Sequence, residues 1–538
     1  EEPEITDNLS PNTAEALLIQ EESEEKTITI ETDLLVCTWS SVGGGNPLSW
    51  ELKDYQYYQG GLVNLIQENA LKLNFLNIDG KEISLNDYNF HVDSYAGKKI
   101  DLSRDNPEYT MEFYLPIRGG RIVKTITFYY DRYSYDLTVR FEGLQGYVIN
   151  RRYFIGWDNG IPSSEKNVDD DLNYSRAYAF MADELFDVDA SENYGEEDLN
   201  GSVEWAAIRS KYFLVSLIPA DPLRVNGVTI GGVKSARNDV PVKNFTFNIE
   251  KQFEPLKSHT DNFTVYMGPL DYYVLKEYDA DLEDLIMNKG WYERIFRPIS
   301  LLIIPAFKFL YRFIPNYGFV IIVFSILIKL LLHPLTKKSY QSMSEMQYLQ
   351  PKMTELREKY KDDSQRINKE MMKLYKEHKV NPLGGCIPML LQMPVLISLF
   401  NVFRSTIQLR NQPFILWITD LSAPDALYLG FELPFIGDNI HILPIFMGIT
   451  MIWQSKMTMT DPKQKLMMYF MPVFLIFIFY SLPSGLNLYY AIFNVLSMIQ
   501  TRMIKKKMHP NGESAPPPAK VNTQPKKPGK SARGKRKK

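Results

Sequence analysis

The residue whose type and position most strongly suggest a chemical role is a lysine, Lys329, which lies inside a run of apolar residues. The run extends from Gly318 to Pro334 and is long and apolar enough to form a membrane-spanning helix. An ionisable group near the bilayer centre costs about 2.5–3.5 kcal/mol, so it is a candidate for function. Lys329 also lies only about 9 Å along a helix from Leu335, close enough to snorkel to the headgroups. From position alone both interpretations remain open.

The sequence contains none of the common metal-binding, phosphate-binding or serine-hydrolase motifs. The six histidines are scattered without metal-ligand spacing, and no Gly-x-Ser-x-Gly motif occurs. The glycines at 43–45 precede no Gly-Lys-Ser/Thr, so they predict a turn rather than a phosphate loop. Cys37 and Cys386 stand in very different surroundings, so no disulfide framework exists. The sequence therefore contains no signal of a metal site, a phosphate loop or a serine hydrolase.

The apolar runs all lie beyond Trp291, and five of them predict membrane spans: Tyr317–Leu335, Pro382–Phe403, Ile440–Met457, Leu466–Leu482 and Leu486–Met503. Eleven basic residues separate the first two spans, and a basic tail follows the last. The opposite loops are acidic and contain Asp420, Asp425, Glu432 and Asp438. The positive-inside rule therefore places the basic side in the cytoplasm and the first 290 residues outside. A signal peptide and an anchor helix ahead of Glu1 are equally compatible with this sequence, and an anchor would restore a cytoplasmic N-terminus.

The region before the spans is soluble in character. Residues 1–26 are acidic and polar and predict a solvated linker. Residues 27–270 repeatedly show the two-residue alternation of half-buried strands, as in Ile122–Phe128, Tyr135–Phe141 and Phe245–Ile249. Turn clusters separate these runs, which favours a large β-sandwich.

Residues 271–316 connect the strands to the spans. Tyr272–Ile286 is expected to be helical and acidic, and a charged apolar stripe follows from Trp291 to Leu310. That stripe is too short and too charged to span a membrane, so it predicts a helix lying in the interface. An ordinary core-facing helix of the soluble domain remains the alternative.

Residues 336–381 predict two amphipathic helices that form a cytoplasmic hairpin. Apolar residues recur at spacings of three and four around Met353 and again around Met371. Pro351 is expected to kink the first helix, and Ser364 is a candidate N-cap for the second. The Met-rich faces suit either a simple helix pair or adaptable contact with partners.

Several motifs in the membrane half resemble those of the YidC/Oxa/Alb superfamily of membrane protein insertases. The most specific are Asn381-Pro-Leu-Gly-Gly-Cys386 and the segment Pro483–Tyr490, supported by Pro334-Leu-Thr336, Leu349-Gln-Pro-Lys352 and Leu391-Gln-Met-Pro394. Ile122–Phe128 and Tyr212–Pro219 are similar to runs in the periplasmic β-supersandwich of the Gram-negative YidC type. The resemblance implies an α+β membrane protein: an exterior β-supersandwich (27–270), then a five-helix transmembrane insertase core (317–505) that includes the hairpin.

The resemblance also implies that Lys329 acts in a hydrophilic groove open to the cytoplasm and the lipid. The family has a conserved arginine at this position, five residues before the proline of Pro-Leu-Thr. Lysine keeps the charge but loses the bidentate geometry of a guanidinium. No Asp or Glu lies in the five predicted spans. Lys329 would therefore attract acidic residues of a nascent segment.

Helical spacing selects the polar residues that would line such a groove. They are Ser325, Gln392, Trp453, Gln454, Asn487, Tyr490 and Asn494, with Thr501 on the same face of the last span and Tyr489 as a substitute for Tyr490. Hydrogen bonding between helices is the alternative role for these side chains.

The tail, residues 506–538, is rich in Lys and Pro and contains no aromatic residue. It is predicted to be disordered, and its charge suits either ribosomal RNA or anionic lipid headgroups. The resemblance implies nascent membrane proteins as clients, ribosome contact through the tail and hairpin, and action alone or with the Sec translocon in a bacterial inner membrane. A secondary transporter with Lys329 as the substrate counter-charge is the alternative function, although the spans show no evident internal repeat.

Overall fold

The computed structural model describes residues 24–67, 70–77, 82–92, 99–117, 119–143, 148–237, 240–252, 258–287, 291–378, 380, 387–433, 437–458 and 465–508. Most of the predicted linker 1–26, the motif Asn381–Cys386 and the tail beyond Met508 lie outside these residues. The chain divides into two compact units, Glu1–Trp291 with Ser405–Gln408, and Tyr292–Arg404 with Leu409–Lys538.

The first unit is built mainly from strands. They are β1 (Thr27–Glu31), β2 (Leu35–Ser40), β3 (Asn46–Gln56), β4 (Leu62–Asn64), β5 (Leu71–Asn77), β6 (Glu82–Ser84), β7 (His91–Val92), β8 (Lys99–Asp101), β9 (Glu108–Ile117), β10 (Gly120–Tyr129), β11 (Ser134–Glu142), β12 (Val148–Trp157), β13 (Arg176–Met181), β14 (Glu184–Val188), β15 (Tyr194–Asn200), β16 (Trp205–Arg209), β17 (Phe213–Pro219), β18 (Val225–Arg237), β19 (Val240–Gln252) and β20 (Ser258–Pro269). Two short helices, α1 (Val168–Tyr174) and α2 (Tyr272–Lys276), accompany them.

These strands form three sheets. A five-stranded sheet has the order β4-β3-β2-β1-β8, a nine-stranded sheet the order β14-β13-β16-β17-β20-β11-β10-β9-β7, and a six-stranded sheet the order β15-β18-β19-β12-β5-β6. Alternation decides the register: in β10, Ile122 pairs with Phe141 and Ile126 with Leu137, and all four side chains are buried. The runs predicted from alternation at Ile122–Phe128, Tyr135–Phe141 and Phe245–Ile249 lie within strands.

Two buried polar contacts join different sheets of this unit. Lys124 on β10 is 1% exposed, and its ammonium donates to the carbonyl of Gly43 at 2.6 Å, in the turn between β2 and β3. Lys251 on β19 lies 2.7 Å from the Asp261 carboxylate on β20. His259 also contacts Asp261 at 2.6 Å, and the hydroxyl of Tyr153 on β12 donates to it. Such pairs are costly to break once buried.

The connecting region differs from the sequence prediction. The expected helix over Tyr272–Ile286 is wrong in extent, because α2 ends at Lys276 and only a 3-10 turn at Leu282–Leu285 follows. Asp279 and Asp281 adopt positive φ angles of 47° and 53°, which an α-helix cannot continue through.

The second unit is helical and contains α3 (Trp291–Tyr311), α4 (Tyr317–Tyr348), α5 (Gln350–Lys359), α6 (Ser364–Glu377), α7 (Ile387–Ser405), α8 (Ile442–Thr458), α9 (Lys465–Tyr480) and α10 (Ser484–Met508), with a hairpin of β21 (Leu427–Leu433) and β22 (Gly437–Ile440) before α8. Among the described helices, α4 alone is long and apolar enough to cross a membrane by length and composition. Shorter apolar stretches occupy Leu390–Ser405 and Tyr469–Tyr480.

The helices between Thr336 and Asn381 correct three details of the prediction. Helix α4 continues well past Leu335 to Tyr348. Pro351 kinks no helix, because α5 begins at Gln350 and places the proline in its first turn, where a missing N–H costs nothing. Asp363, not Ser364, caps α6 by accepting from the Arg366 N–H at 2.9 Å.

The pairing of α5 with α6 depends on a small apolar core. Its members are Leu349, Met353, Met371, Leu374 and Val380, with Met346, Leu356, Ile367 and Tyr375 packed around them. These two helices therefore bury their apolar faces chiefly on each other.

Candidate functional site

Lys329 lies at the contact between α4 and α10. Its side chain is buried, with 7% of its surface exposed. The ammonium nitrogen is 2.7 Å from the hydroxyl of Ser497 and 3.4 Å from that of Tyr340. It also lies 4.4 Å from the centre of the Phe493 ring and 5.2 Å from that of Tyr340. The lysine is thus directed toward α10 and the interior of the helical unit.

This environment solvates a cation without neutralising it. Hydroxyl oxygens accept hydrogen bonds from the ammonium, and ring faces attract it through their quadrupoles. None of the ion pairs formed by the described residues includes Lys329. No carboxylate of the described residues therefore offsets a positive charge on Lys329.

Helices α4 and α10 run in the same direction along a polar seam. Lys329 meets Ser497, and one turn further on the His333 ring nitrogen lies 2.8 Å from the Gln500 amide. Gln500 also donates to the Thr336 hydroxyl at 3.5 Å. Because these contacts advance together along both helices, the polar residues of α4 and α10 form one continuous track.

Helix α8 closes one side of this track. The amide of Asn494 donates to the Thr450 hydroxyl at 3.3 Å, and the Lys505 ammonium donates to the Met457 carbonyl at 3.0 Å. These contacts also advance in step, so α8 runs in the same direction as α10. Three parallel helices therefore surround the polar side chains near Lys329.

The remaining residues selected from the sequence occupy varied positions. Ser325 is buried one turn before Lys329 and donates to the Ile321 carbonyl of its own helix at 2.7 Å. Asn487 is buried and donates to the carbonyls of Phe479 and Leu482, so it braces the turn between α9 and α10. These two side chains are engaged in bonds to backbone carbonyls.

Four further candidates lie on α7, α8 and α10. Gln392 and Gln454 are half-buried, and the ring of Tyr490 lies 5.7 Å from that of Phe479. Trp453 is 52% exposed, and the Arg502 guanidinium stacks 5.7 Å from its ring. Of the residues selected from the sequence, the structure brings Lys329 and Asn494 closest to one shared polar track.

Sequence reasoning missed the three side chains that contact Lys329. Ser497 follows Asn494 by three residues and so shares its helix face, a signal that the spacing already contained. Tyr340 follows Lys329 by three helical turns, about 16 Å along the axis. The two side chains meet only because both are long and point toward each other, and spacing along the sequence does not indicate this. Phe493 is apolar and therefore gave no signal.

Several buried polar atoms of the helical unit accept or donate no hydrogen bond within the described structure. They include Gln392 Nε2, Asp425 Oδ1, Asn487 Oδ1, the Tyr489 hydroxyl and Gln500 Oε1. Leaving such an atom unsatisfied in a dry interior costs about 1–3 kcal/mol. Within the described residues, no group of His, Cys, Asp and Glu side chains is placed to hold a metal ion.

Comparison with family models covers nearly the whole chain. Residues 27–302 match the family described as the YidC periplasmic domain. Residues 309–511 match the family described as the 60Kd inner membrane protein. The boundary between the two matches falls within α3.

Curated relatives extend over both parts. The chain is 38% identical over 498 residues to the membrane protein insertase YidC of Prosthecochloris aestuarii, covering 90% of this chain and 83% of that protein. It is 37% identical over 502 residues to the protein of the same name from Chlorobium limicola, covering 88% and 82% respectively. A crystal structure of an active YidC insertase with its first transmembrane domain resolved covers 91% of this chain and 94% of that chain, at 18% identity and a TM-score of 0.37.

Proposed function

Because the chain belongs to the YidC family of membrane protein insertases, we propose that it inserts and folds nascent membrane proteins through a hydrophilic groove charged by Lys329. The relatives are insertases of the inner membrane and not enzymes, so no covalent chemistry is required of the groove. The observation that carries the proposal is the buried ammonium held by hydroxyls and rings rather than by a carboxylate.

The energetic role of the groove follows from the cost of moving polar groups through lipid. A peptide group without a partner in hydrocarbon costs several kcal/mol. Water and the side chains of the polar track lower that cost for a hydrophilic segment held partway across the bilayer. Helix-forming apolar segments then leave sideways into the lipid.

Lys329 adds selectivity for acidic segments. An ammonium and a carboxylate 4 Å apart attract each other by about 4 kcal/mol at an effective dielectric constant of 20. Ser497 and Tyr340 are neutral, so a client carboxylate that displaces their hydroxyls gains a charge pair. The lysine therefore favours entry of acidic residues without retaining them permanently.

The proposed topology assigns five spans to α4, α7, α8, α9 and α10. Residues 27–270 then form the periplasmic β domain, residues 271–316 the connecting and interfacial segment, and residues 317–505 the membrane core. Helix α3 suits the interface because Ile295, Leu302 and Phe309 are exposed while Ile303 and Phe307 are buried.

Partners on the cytoplasmic side follow from charge. The hairpin of α5 and α6, with the basic residues 506–538, would bind the ribosome and deliver the nascent chain to the groove. The same core would act alone or beside the Sec translocon. The basic side faces the cytoplasm in this arrangement because lysines and arginines resist translocation.

Insertion into proteoliposomes tests the groove charge. We expect Lys329→Arg to insert a client with an acidic translocated segment at nearly the normal rate, and Lys329→Ala to slow it about tenfold. The matched control is Lys337→Ala, which removes an exposed lysine from the same helix. A client whose acidic residues are replaced by Asn and Gln should be slowed far less.

Two results would contradict the proposal. Equal insertion of the acidic client by the Lys329→Ala variant would exclude a role for the charge. Flux of small solutes without any protein client would favour a transporter instead.

A further inference from the structure

One buried carboxylate, Asp425, sits at the start of α8 although it precedes that helix by many residues. Its Oδ2 accepts the backbone N–H of Ile442 at 2.8 Å and that of Leu443 at 3.0 Å. The same oxygen accepts the indole N–H of Trp417 at 3.0 Å. Asp425 is 2% exposed. The carboxylate therefore caps the positive end of α8 from the preceding loop.

The backbone just before Asp425 holds the start of α10. The N–H of Ser484 donates to the Ala423 carbonyl at 2.7 Å, and that of Gly485 to the Leu421 carbonyl at 3.0 Å. The Ser484 hydroxyl donates to the Asp420 carbonyl at 2.7 Å. Three of the donors at this helix start are thus satisfied by one short loop segment.

The same loop also reaches the start of α4. The Phe414 ring lies 5.2 Å from the Phe319 ring, edge to face. A Cβ at Gly318 would come within 1.9 Å of the Phe414 side chain, so only glycine permits this approach. The amide of Asn316 donates to the Pro413 carbonyl at 3.5 Å.

Residues 413–425, here called the clamp loop, therefore bind the starts of α4, α8 and α10 together. These are the three parallel helices that carry Lys329, Thr450 and Ser497. Their starts lie at the end of the bundle away from the basic loops, which is the exterior end in the proposed topology. A gap between these starts would connect the polar track to the exterior.

We infer that the clamp loop seals the exterior end of the groove and that Asp425 is the positioning residue that keeps the seal shut. The inference rests on the proposed function, because it assigns the groove an exterior end. The sealing role needs the hydrogen bonds at the helix start and not charge alone. Asparagine, an equally good cap, should replace Asp425, whereas alanine should not.

Cysteine labelling from each side of the membrane tests the inference in the full-length protein. The reporter is Ser325→Cys, introduced after both native cysteines are replaced by alanine, and the reagent is a membrane-impermeant maleimide applied to oriented proteoliposomes. Because residue 325 is buried, with Asp425 intact we expect slow labelling, and only from the hairpin side. Asp425→Ala should raise labelling from the β-domain side at least tenfold, and Asp425→Asn should stay near the parent rate.

Controls separate this inference from the proposed function. Asp438→Ala removes an acidic residue from β22 of the same exterior segment and should leave the rate of labelling from the β-domain side unchanged. Absence of hairpin-side labelling in the parent would contradict the groove itself. An unchanged β-domain-side rate in a folded Asp425→Ala variant would overturn the seal.

If the Asp425→Ala protein loses its helical content, a second variant, Ser484→Ala, tests the same inference. Ser484→Ala removes a single side-chain bond to the Asp420 carbonyl and leaves Asp425 in place. We expect it to raise β-domain-side labelling about threefold. If the Ser484→Ala protein is labelled from the β-domain side at the same rate as the parent, the inference is overturned.

Discussion

The ammonium of Lys329 and the hydroxyl of Ser497 lie 2.7 Å apart although the two residues belong to α4 and α10. This is the shorter of the two hydroxyl contacts of the ammonium, since the Tyr340 hydroxyl lies 3.4 Å away. The contact with Ser497 therefore directs the lysine side chain toward α10. The ring of Phe493 supports the same ammonium from one turn earlier on α10. The charge is thus held inside the bundle by groups that stay neutral.

The first prediction concerns the ring beneath the charge. Cation–π contacts contribute about 0.5–2 kcal/mol. A double-mutant cycle of Lys329→Met with Phe493→Leu, measured as unfolding free energy in mixed micelles, should therefore show a coupling in that range. The control cycle pairs Lys329→Met with Phe470→Leu, an exposed ring on α9. Equal coupling in both cycles would exclude a specific contact.

The second prediction concerns the paired helices α5 and α6. Replacing residues 350–378 by a short Gly-Ser linker keeps Tyr340 and the contact between Gln347 and the Met457 carbonyl. Because the two helices bury their apolar faces mainly on each other, the remaining bundle should still enter the membrane, while client insertion falls to background. Met372→Ser, on an exposed face of α6, should insert clients normally. Normal client insertion by the linker variant would show that α5 and α6 serve only to connect their neighbouring helices.

The third prediction concerns the basic tail, which lies beyond the described residues. Truncation after Met508 removes nine basic residues. If they neutralise RNA phosphates, ribosome binding should weaken and its log–log salt slope should fall by up to about 6. Measuring binding in neutral detergent removes anionic lipid as a competing partner. An identical slope for the full-length and truncated proteins would exclude the RNA interaction.

The fourth prediction concerns the Asp261 cluster in the β domain. Burial alone would raise the pKa of Asp261, but hydrogen bonds from His259, Lys251 and Tyr153 outweigh it and lower that pKa to about 2. The carboxylate therefore stabilises the domain above pH 3.8, and this contribution disappears as the pH falls through about 2.

Asp261→Asn should accordingly destabilise the β domain by about 3–5 kcal/mol at neutral pH, because it leaves Lys251 buried without its counter-ion. The difference from the parent should shrink between pH 4 and about 2. Hydrogen exchange of β-domain peptides in the intact protein, corrected for intrinsic rates, measures both quantities. A pH-independent difference would contradict the assignment.

The fifth prediction concerns Lys124, whose burial lowers the pKa of its ammonium to about 7. Between about pH 7 and its ordinary value of 10.5, the unfolded chain binds a proton that the folded domain does not. Stability should therefore rise with pH in that window, by at most about 1.4 kcal/mol per unit. Lys124→Met should flatten this rise in the same exchange experiment. Lys234→Met, at an exposed position of β18, is the control and should preserve it.

Local patterns predicted much of the fold. Two-residue alternation located strands such as β10 and β11, and apolar runs located the cores of α4 and α10, because both signals depend on neighbours along the chain. Boundaries were less accurate. The break at Leu349 and the cap at Asp363 depend on which of several competent residues the packed helices select.

The sequence by itself determined that a lysine lies within an apolar run, that basic and acidic loops alternate, and that the chain carries family motifs. Only the tertiary structure decided that Lys329 meets Ser497, and that Asp425, counted at first as one acid of a loop, caps α8. The physical reason is that periodicity reports which face of a helix is buried. The partner on that face comes from a distant part of the chain, and packing alone selects it.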